Sequence, residues 1–323
     1  MTNRDLAVSI LMPIYNAAPT LRQALDSVTN QTLKDIEIIC INDGSTDDSP
    51  AIIKEYMTKN RRIKTIDKKN SGYGDSMNRG LNVATGEYIA ILEPDDFYEP
   101  NMLETLYDAA EKNNLDAVKA DFYQYNTAKD SNKRYHLIPR DRANKVLSGK
   151  GVEFIYECQP SIWSAIYRRQ FLLDNNIKFQ PTPGASYQDT SFNFKVFASA
   201  RRAMFIDKPI IHYRVDNADS SINNVNNKLD FIDKEYGEID RFITKKKLDC
   251  LKPEAAYCRY ITYRWAMSKL SDEQRHNYVK HISPLLRRQK DTFPTERLTS
   301  RHQRLGYWLI CNSPTLYNLL AKD

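Results

Sequence analysis

Three carboxylates crowd together directly after a short apolar run in the first third of the chain. Apolar residues at 88–92 predict a buried strand, and Pro94 stops its hydrogen-bonded ladder. Glu93, Asp95 and Asp96 then repel one another unless a cation lies among them. Their hard oxygen ligands suit Mg²⁺ or Mn²⁺, with diphosphate oxygens completing the coordination shell. The alternative is a solvated acidic turn that favours the start of the next helix.

The elements around these carboxylates are expected to bring further polar loops to the same place. Short apolar runs predict strands at 7–12, 36–41, 63–66, 88–92 and 117–122, with helical patterns between the first four. Alternation in units of about 25 to 30 residues predicts crossovers and a mostly parallel sheet. Ligands bind beyond the carboxyl ends of such strands. The polar loops at 13–16, 42–47, 70–74 and 93–96 should therefore converge, which favours the metal site over the acidic turn.

Composition describes a globular chain of 323 residues, with 27% charged and 41% hydrophobic residues. No run approaches the roughly 18 to 20 apolar residues of a membrane-spanning helix. A strand is predicted almost at the start, so we expect no signal peptide. The five scattered cysteines show no zinc-binding spacing and are interpreted as reduced thiols of a cytoplasmic protein.

Four motifs, taken together, resemble the family 2 glycosyltransferases, which are nucleotide-sugar transferases with the GT-A fold. They are VSILMPIYN at 8–16, INDGSTD at 41–47, NSG at 70–72 and GEYIAILEPDD at 86–96. The resemblance covers about residues 5 to 215 and implies a Rossmann-like α/β domain, with a mostly parallel sheet flanked by helices. We assign residues 1–225 to this catalytic domain, with a donor half of about 1–122 and an acceptor half of about 123–225. Residues 226–323 form a basic, mainly helical appendage.

The resemblance places the nucleotide of the donor against the first three loops. Pro13, Tyr15, Asn16 and Asp43 are implied to hold the base, and a carboxylate at Asp43 can accept the N3–H of uracil. The Asp-Gly-Ser sequence at Asp43 is also a common turn, which is its alternative role. Gly72 fits a position where backbone must approach a ligand closely.

Other roles implied by the resemblance concern the metal and the diphosphate. Asp95 is the direct metal ligand, while Glu93, where the family usually has Asp, faces the ribose or a metal-bound water. Arg79 is a diphosphate candidate, although the family's Arg-Asn order is reversed here. Arg214 neutralises charge on the leaving group. His212 is a further metal or phosphate contact, with a purely structural histidine as the alternative.

The second half of the predicted catalytic domain carries the acceptor side. Residues 123–150 are polar and loop-like and are interpreted as a lid or an insertion. Trp163 is a candidate for stacking on an acceptor sugar, against the alternative of core packing. Asp189 matches the family's general base and would deprotonate the acceptor hydroxyl. Its alternative role is the N-cap of a helix at 192–199.

The predicted activity is that of an inverting hexosyl- or N-acetylhexosaminyltransferase. The donor is expected to be a UDP-sugar, the cofactor Mn²⁺ or Mg²⁺, and the acceptor a glycan or lipid-linked glycan in polysaccharide biosynthesis. Two other classes stay open: a nucleotide-sugar-binding protein without catalysis, and a nucleotidyltransferase. Asp189 and the segment 213–214 argue against the latter.

The carboxy-terminal third is strongly basic. Residues 241 to 310 hold 16 Lys and Arg against 6 Asp and Glu, in a chain whose total charge is +6. Such a surface can meet anionic lipid, which would make the protein peripheral at the inner face of a membrane. The alternative is self-association through an apolar helical stripe. Nucleic acid is not expected, because no binding motif accompanies the charge.

Overall fold

The computed structural model describes residues 6–185, 187–217 and 228–320. The chain divides into two compact units, Met1–Asp219 and Ser220–Asp323. Of the helices in these described ranges, none has both the length and the apolar composition needed to cross a bilayer.

Within its described residues, the first unit contains ten strands and six α-helices. The strands are β1 (Val8–Ile14), β2 (Ile36–Asn42), β3 (Ile63–Asp67), β4 (Tyr88–Ile91), β5 (Phe97–Tyr98), β6 (Ala117–Asn126), β7 (Ser131–Tyr135), β8 (Val146–Leu147), β9 (Ala165–Arg168) and β10 (Ala203–Arg214). The helices are α1 (Ala18–Thr29), α2 (Ser49–Lys59), α3 (Tyr73–Val83), α4 (Met102–Asn113), α5 (Arg169–Asp174) and α6 (Gln188–Ser199).

All ten strands belong to one sheet, whose main path runs in the order β3-β2-β1-β4-β9-β6-β10-β5. Strands β1 to β4 pair in parallel, and so do β6 and β10. Strand β9 lies antiparallel to both β4 and β6, so these two neighbours point in the same direction. The carboxyl ends of the six strands that point in one direction therefore meet at one edge: β1, β2, β3, β4, β6 and β10. The predicted α/β fold is confirmed, and the sheet is mixed, with four parallel and five antiparallel strand pairs among the described residues.

Strand β1 extends two residues beyond its predicted end and includes Pro13. Its last pairing with β4 joins Leu11 to Ile91, whereas its pairing with β2 continues to Ile14. Because Pro13 lies past the end of β4, the missing proline N–H costs no ladder bond on that side.

The region 123–150 is not the continuous loop that its polar sequence predicted. Strand β6 runs on to Asn126 and forms an antiparallel hairpin with β7, while β8 pairs with β10. Strand β7 (SNKRY) carries no apolar alternation, because most of its side chains are exposed. The hairpin is fixed by the stacking of Phe122 on Tyr135, with ring centroids 4.6 Å apart.

The second unit is helical, as predicted. Its helices are α7 (Leu229–Lys246), α8 (Lys252–Met267), α9 (Asp272–Arg288), α10 (Arg301–Asn312) and α11 (Pro314–Leu320). Aromatic side chains form much of its core. Tyr307 stacks on Phe293 at 3.9 Å, and Tyr260 meets both rings edge-on.

Glu37 is a buried carboxylate in β2 that connects β1 to the start of β4. Its oxygens accept hydrogen bonds from Ser9 (2.6 Å), from the backbone and hydroxyl of Thr85 (2.7 and 2.8 Å), and from Lys64 (2.6 Å). Burial alone would raise the pKa of Glu37, but these bonds outweigh it and lower the pKa to about 2. The ionised carboxylate thus stabilises the folded sheet.

This depressed pKa predicts a specific acid sensitivity. The stability from Glu37 is present above its ordinary pKa of 4.5 and is lost as the pH falls towards about 2. We expect Glu37→Gln to lower the free energy of unfolding at pH 7 by about 1–3 kcal/mol. Between pH 4.5 and about pH 2, the free energy of unfolding should decrease less in the variant than in the wild type. Urea unfolding across this pH range measures both. Glu111→Gln is the control, since Glu111 is an exposed carboxylate on α4; an equal effect there would contradict the assignment.

Candidate functional site

The three carboxylates lie in the turn that joins β4 to β5, at the carboxyl edge of the sheet. Glu93 Oε1 accepts a hydrogen bond from the Tyr73 hydroxyl (2.7 Å), and Asp95 Oδ2 accepts one from Asn217 Nδ2 (2.9 Å). Asp96 is buried; its Oδ1 accepts from the backbone N–H of Arg214 (2.9 Å). Its Oδ2 has no hydrogen-bond partner among the described residues. We call residues 93–96 the carboxylate turn.

Negative charge is in excess in the carboxylate turn. Burial raises the pKa of Glu93 to about 8; the Tyr73 hydrogen bond opposes this rise, and the charges of Asp95 and Asp189 add to it. Burial also holds the pKa of Asp96 well above its usual range, again reinforced by Asp95. Such a site is stabilised by any cation that enters it.

Arg214, at the end of β10, anchors the carboxylate turn. Its side chain is buried and its Nε donates to the backbone oxygen of Asp95 (2.8 Å). Its terminal nitrogens donate to Gln23 Oε1 (2.6 Å) and to the Thr127 hydroxyl. The guanidinium also lies 5.1 Å from the ring centroid of Tyr125. Arg214 therefore positions the turn through contacts within its own chain.

Asp189 lies in the first turn of α6, which begins four residues earlier than the predicted helix at 192–199. Tyr187 is the N-cap residue, with φ of 59°, so Asp189 is not the cap. Burial raises the pKa of Asp189, opposed by the backbone N–H of Thr190 and more weakly by Lys119. The charge of Asp189 in turn raises the pKa of Glu93 and of Tyr73. The carboxylate turn and the predicted base thus share one electrostatic environment.

Lys119 is a residue of this environment that the sequence analysis missed. It is fully buried in β6, and its ammonium donates to the backbone oxygens of Pro160 and Ser161, both at 2.6 Å. Burial lowers its pKa to about 7, and the charges of Cys158 and Asp189 oppose this fall. The signal in the sequence was a lysine inside an apolar strand. Tyr73, Asn217 and Gln23 were also missed, because polar residues in loops and helices are common.

The polar loops at 13–16 and 42–47 are joined through Asn16. Asn16 adopts a left-handed conformation with φ of 49°, and its Oδ1 accepts from the backbone N–H of Thr46 (2.8 Å). Its own backbone N–H donates to Ser45 Oγ (3.1 Å). Tyr15 beside it is 52% exposed, while Pro13 is buried within β1. Tyr15 is thus the side chain of this loop most open to a ligand.

Asp43 joins the polar loop at 70–74 to the polar loop at 42–47. The carboxylate accepts from the backbone N–H groups of Ser71 (2.8 Å, Oδ1) and Gly72 (2.9 Å, Oδ2), and Oδ1 also accepts from Lys68. Among the described residues, Oδ2 accepts no further hydrogen bond. At Gly72, with φ of 92°, a Cβ would lie 2.7 Å from the backbone oxygen of Thr182. Glycine is therefore required here by a close approach to the chain's own backbone, and the approach to a ligand stays a prediction.

Three other predicted site residues lie in well-defined contacts. Arg79 is half-exposed on α3 and pairs with Asp75 at 2.8 Å. Trp163 is 6% exposed and stacks on Tyr213, with centroids 5.0 Å apart, which is the packing alternative. The third is His212, whose ring has both polar and aromatic partners.

Both ring nitrogens of His212 are engaged. Nδ1 lies 2.7 Å from Asn132 Oδ1 and Nε2 lies 2.9 Å from Glu99 Oε1. The ring also stacks on Phe97 at 4.2 Å and on Tyr123 at 5.0 Å. A metal contact would break one of these hydrogen bonds, so the geometry favours the structural alternative.

A separate cluster of side chains has metal-ligand spacing. Ligand atoms of Asp121, His136 and Asp207 all lie within 4.8 Å of one another. Arg134 already bridges the two carboxylates, with 2.8 Å to Asp121. Asp121 further accepts hydrogen bonds from the backbone N–H groups of Leu137 (2.9 Å) and Ile138 (3.1 Å). An arginine therefore supplies the positive charge in this cluster.

Comparisons with known proteins agree with this geometry. The model of the family described as "Glycosyl transferase family 2" matches residues 9–201. The chain is 33% identical over 223 residues to the uncharacterized glycosyltransferase EpsJ of Bacillus subtilis, a match covering 64% of this chain and 60% of EpsJ. It is 31% identical over 254 residues to the uncharacterized glycosyltransferase YibD of Escherichia coli, covering 76% of this chain and 72% of YibD.

A solved structure shares the fold. The S. aureus TarS 1-349 structure in complex with UDP-GlcNAc superposes with a TM-score of 0.70 and 17% identity. The superposition covers 97% of this chain and 89% of TarS 1-349.

The contacts of Arg214 predict that it cannot be replaced by lysine. A lysine cannot make the planar fork that reaches Gln23, Thr127 and the Asp95 backbone together. We expect Arg214→Lys to lower the free energy of unfolding by roughly 2–4 kcal/mol, since buried partners lose their bonds. Arg79→Lys is the control and should change it by less than about 0.5 kcal/mol, because that ion pair is exposed. Urea denaturation measures the free energy of unfolding of both variants. An equal loss in the two would contradict the anchoring role of Arg214.

Proposed function

Since the chain belongs to glycosyltransferase family 2, we propose that it transfers a sugar from a nucleoside diphosphate donor, a UDP-sugar, to an acceptor hydroxyl with inversion. The sugar is a hexose or an N-acetylhexosamine. The acceptor is a glycan or a lipid-linked glycan of polysaccharide biosynthesis. The reaction takes place in the cytoplasm or at the inner face of a membrane. The UDP-GlcNAc complex of a protein with the same fold supports the choice of donor.

One observation carries this proposal: the half-buried Asp95 and Asp189 both act electrostatically on Glu93 at the carboxyl edge of the sheet. Asp95 and Asp189 both raise the pKa of Glu93, although they are 94 residues apart in the chain. Perturbed titratable groups that converge in this way are typical of active sites. The family resemblance then implies two separate roles: metal binding for the carboxylate turn and proton abstraction for Asp189.

Asp189 acts as the general base. The acceptor oxygen forms a bond to the anomeric carbon while the bond from that carbon to the diphosphate oxygen breaks. The acceptor proton goes to Asp189, and the nucleoside diphosphate leaves with the electron pair of the broken bond. Burial raises the pKa of Asp189, which makes its carboxylate a stronger base. Lys119, which opposes that rise, helps to keep the carboxylate ionised before transfer.

The carboxylate turn fits a divalent metal ion. Its ligands are hard oxygens, they repel one another, and Asp96 holds a buried carboxylate oxygen without a described partner. As the family resemblance implies, Asp95 would bind Mn²⁺ or Mg²⁺, with Glu93 at the ribose or at a metal-bound water. When bound, the metal supplies positive charge to the departing diphosphate.

The nucleotide is proposed to lie along the first three loops. The free accepting position on Asp43 Oδ2 suits an imide N–H of the base. Tyr15 is exposed for stacking, and Asn16 fixes the loop that carries it. Arg79 remains the candidate for the diphosphate, because its side chain is half-exposed.

The metal assignment predicts loss of function at Asp95. Asp95→Asn should lower transfer by roughly two to four orders of magnitude, as expected for lost leaving-group stabilisation. Chelation of the wild type should abolish activity reversibly. Initial rates with a panel of UDP-, GDP- and dTDP-sugars measure both and identify the donor. Asp108→Asn, on the exposed face of α4, is the control. Full activity in excess EDTA would refute the metal role.

The base assignment predicts a rate effect without a binding effect. Asp189→Asn keeps the size of the side chain and removes the proton acceptor, so transfer should fall by roughly two to four orders of magnitude. Donor affinity, measured by calorimetry, should barely change. In the wild type, kcat/KM should fall as the pH drops through the pKa of Asp189, which lies above 3.8. Transfer by the variant at nearly the wild-type rate would leave Asp189 a helix residue only.

A further inference from the structure

We propose that helices α10 and α11 form a surface that docks on an anionic lipid membrane. We call this surface the apolar surface. It consists of five exposed side chains: Leu305, Trp308, Leu316, Leu319 and Leu320. The proposal concerns the helical unit and does not rest on the proposed reaction.

The exposure of these side chains is concentrated in one short stretch. Their exposed fractions range from 42% for Leu316 to 63% for Leu320, with 56% for Trp308. Ten large hydrophobic side chains are exposed in the described part of the chain, and five of them lie between residues 305 and 320. Single exposed apolar residues are ordinary, but such a concentration indicates an interaction surface.

The helices that carry the apolar surface are firmly held on their other faces. Helix α10 begins with a capping box, in which Ser300 and Gln303 bond each other's backbone N–H groups. Its buried side includes Tyr307, Ile310 and Cys311. Helix α11 is tied to α9 through Asn318 Nδ2, which donates to the backbone oxygen of His276 (3.2 Å). The exposed leucines and Trp308 are thus displayed by a packed scaffold.

The charge of this segment favours an anionic partner. No Asp or Glu occurs between Glu296 and Asp323. Arg301 and Arg304 are exposed in the first turn of α10, and the exposed Arg287 of α9 donates to the backbone oxygen of Cys311 at its other end (2.8 Å). Positive charge therefore flanks Leu305 and Trp308 along the helix. Tryptophan, leucine and arginine are the residues that interfacial helices place at the lipid headgroups.

A second copy of the chain fits the same surface less well. Most homodimers are two-fold symmetric, so each copy would present the same patch to the other. Arginines 301 and 304 would then face a patch that carries the same arginines, without an acidic residue in the segment to neutralise them. Anionic lipid headgroups supply that negative charge.

Vesicle sedimentation of the full chain tests the proposal. We expect binding to phosphatidylcholine vesicles that contain phosphatidylglycerol, little binding to phosphatidylcholine alone, and weaker binding above physiological ionic strength of about 0.15 M. The double variant Arg301→Gln, Arg304→Gln should bind about 25-fold more weakly, at roughly fivefold for each arginine. Trp308→Ser should also weaken binding, and the Trp308 emission, obtained by subtracting Trp308→Phe, should shift to the blue with vesicles.

Matched controls separate this surface from general basicity. Lys245→Gln, Lys246→Gln and Lys247→Gln together remove three exposed charges at the end of α7, and Leu173→Ser removes an exposed leucine on α5. Neither change should weaken binding as much as the α10 variants. Equal loss with the lysine control, no binding at low ionic strength, or an unshifted Trp308 emission would overturn the proposal. A dimer seen by light scattering and abolished by Trp308→Ser would also overturn it, in favour of a second copy.

Discussion

Arg214 is the cation that the fold places against the mutual repulsion of the carboxylate turn. Its charge opposes the rise in the pKa of Asp96, and its backbone N–H and guanidinium bind both Asp96 and the Asp95 peptide. The same guanidinium reaches Gln23 on α1 and Thr127 beyond β6. One buried side chain thus fixes the end of β10, the first helix and the carboxylate turn relative to one another. An apolar residue there would leave three carboxylates without an internal countercharge.

Lys119, in β6, has a comparable effect on Asp189. It is a buried side chain held by two carbonyl oxygens, and its charge contributes to the electrostatic environment of Asp189. Arg214 and Lys119 together offset part of the negative charge contributed by Asp96 and Asp189. Burial raises the pKa of Glu93 to about 8, so this carboxyl group is mostly protonated near neutral pH and would lose its proton when a divalent ion binds. The fold can hold these carboxyl groups close together because Arg214 fixes the turn that carries them.

The sequence predicted those features of the molecule that depend on local pattern. Apolar runs located β1 to β4 and β6, and the alternation with helices predicted a sheet whose carboxyl edge gathers the polar loops. The strand β7 was missed because an exposed edge strand needs no apolar alternation, and the start of α6 was placed too late because Gln188 and Asp189 are not apolar. The candidate site residues could be named from the sequence, but the bonds that they make could not. That Gly72 approaches Thr182, and that Trp163 and His212 are enclosed by other rings, depends on contacts between distant segments.

The reversed strand β9 has a consequence for how such domains can be recombined. It forms three residue pairs with β4, namely Tyr88–Arg168, Ile89–Tyr167 and Ala90–Ile166, and three more with β6. A slip of one residue would shift β9 by about 3.3 Å and turn every β9 side chain to the opposite face of the sheet. A chimera that takes residues 123–225 from a relative must therefore preserve both sets of pairs before any change in acceptor choice can be read from it.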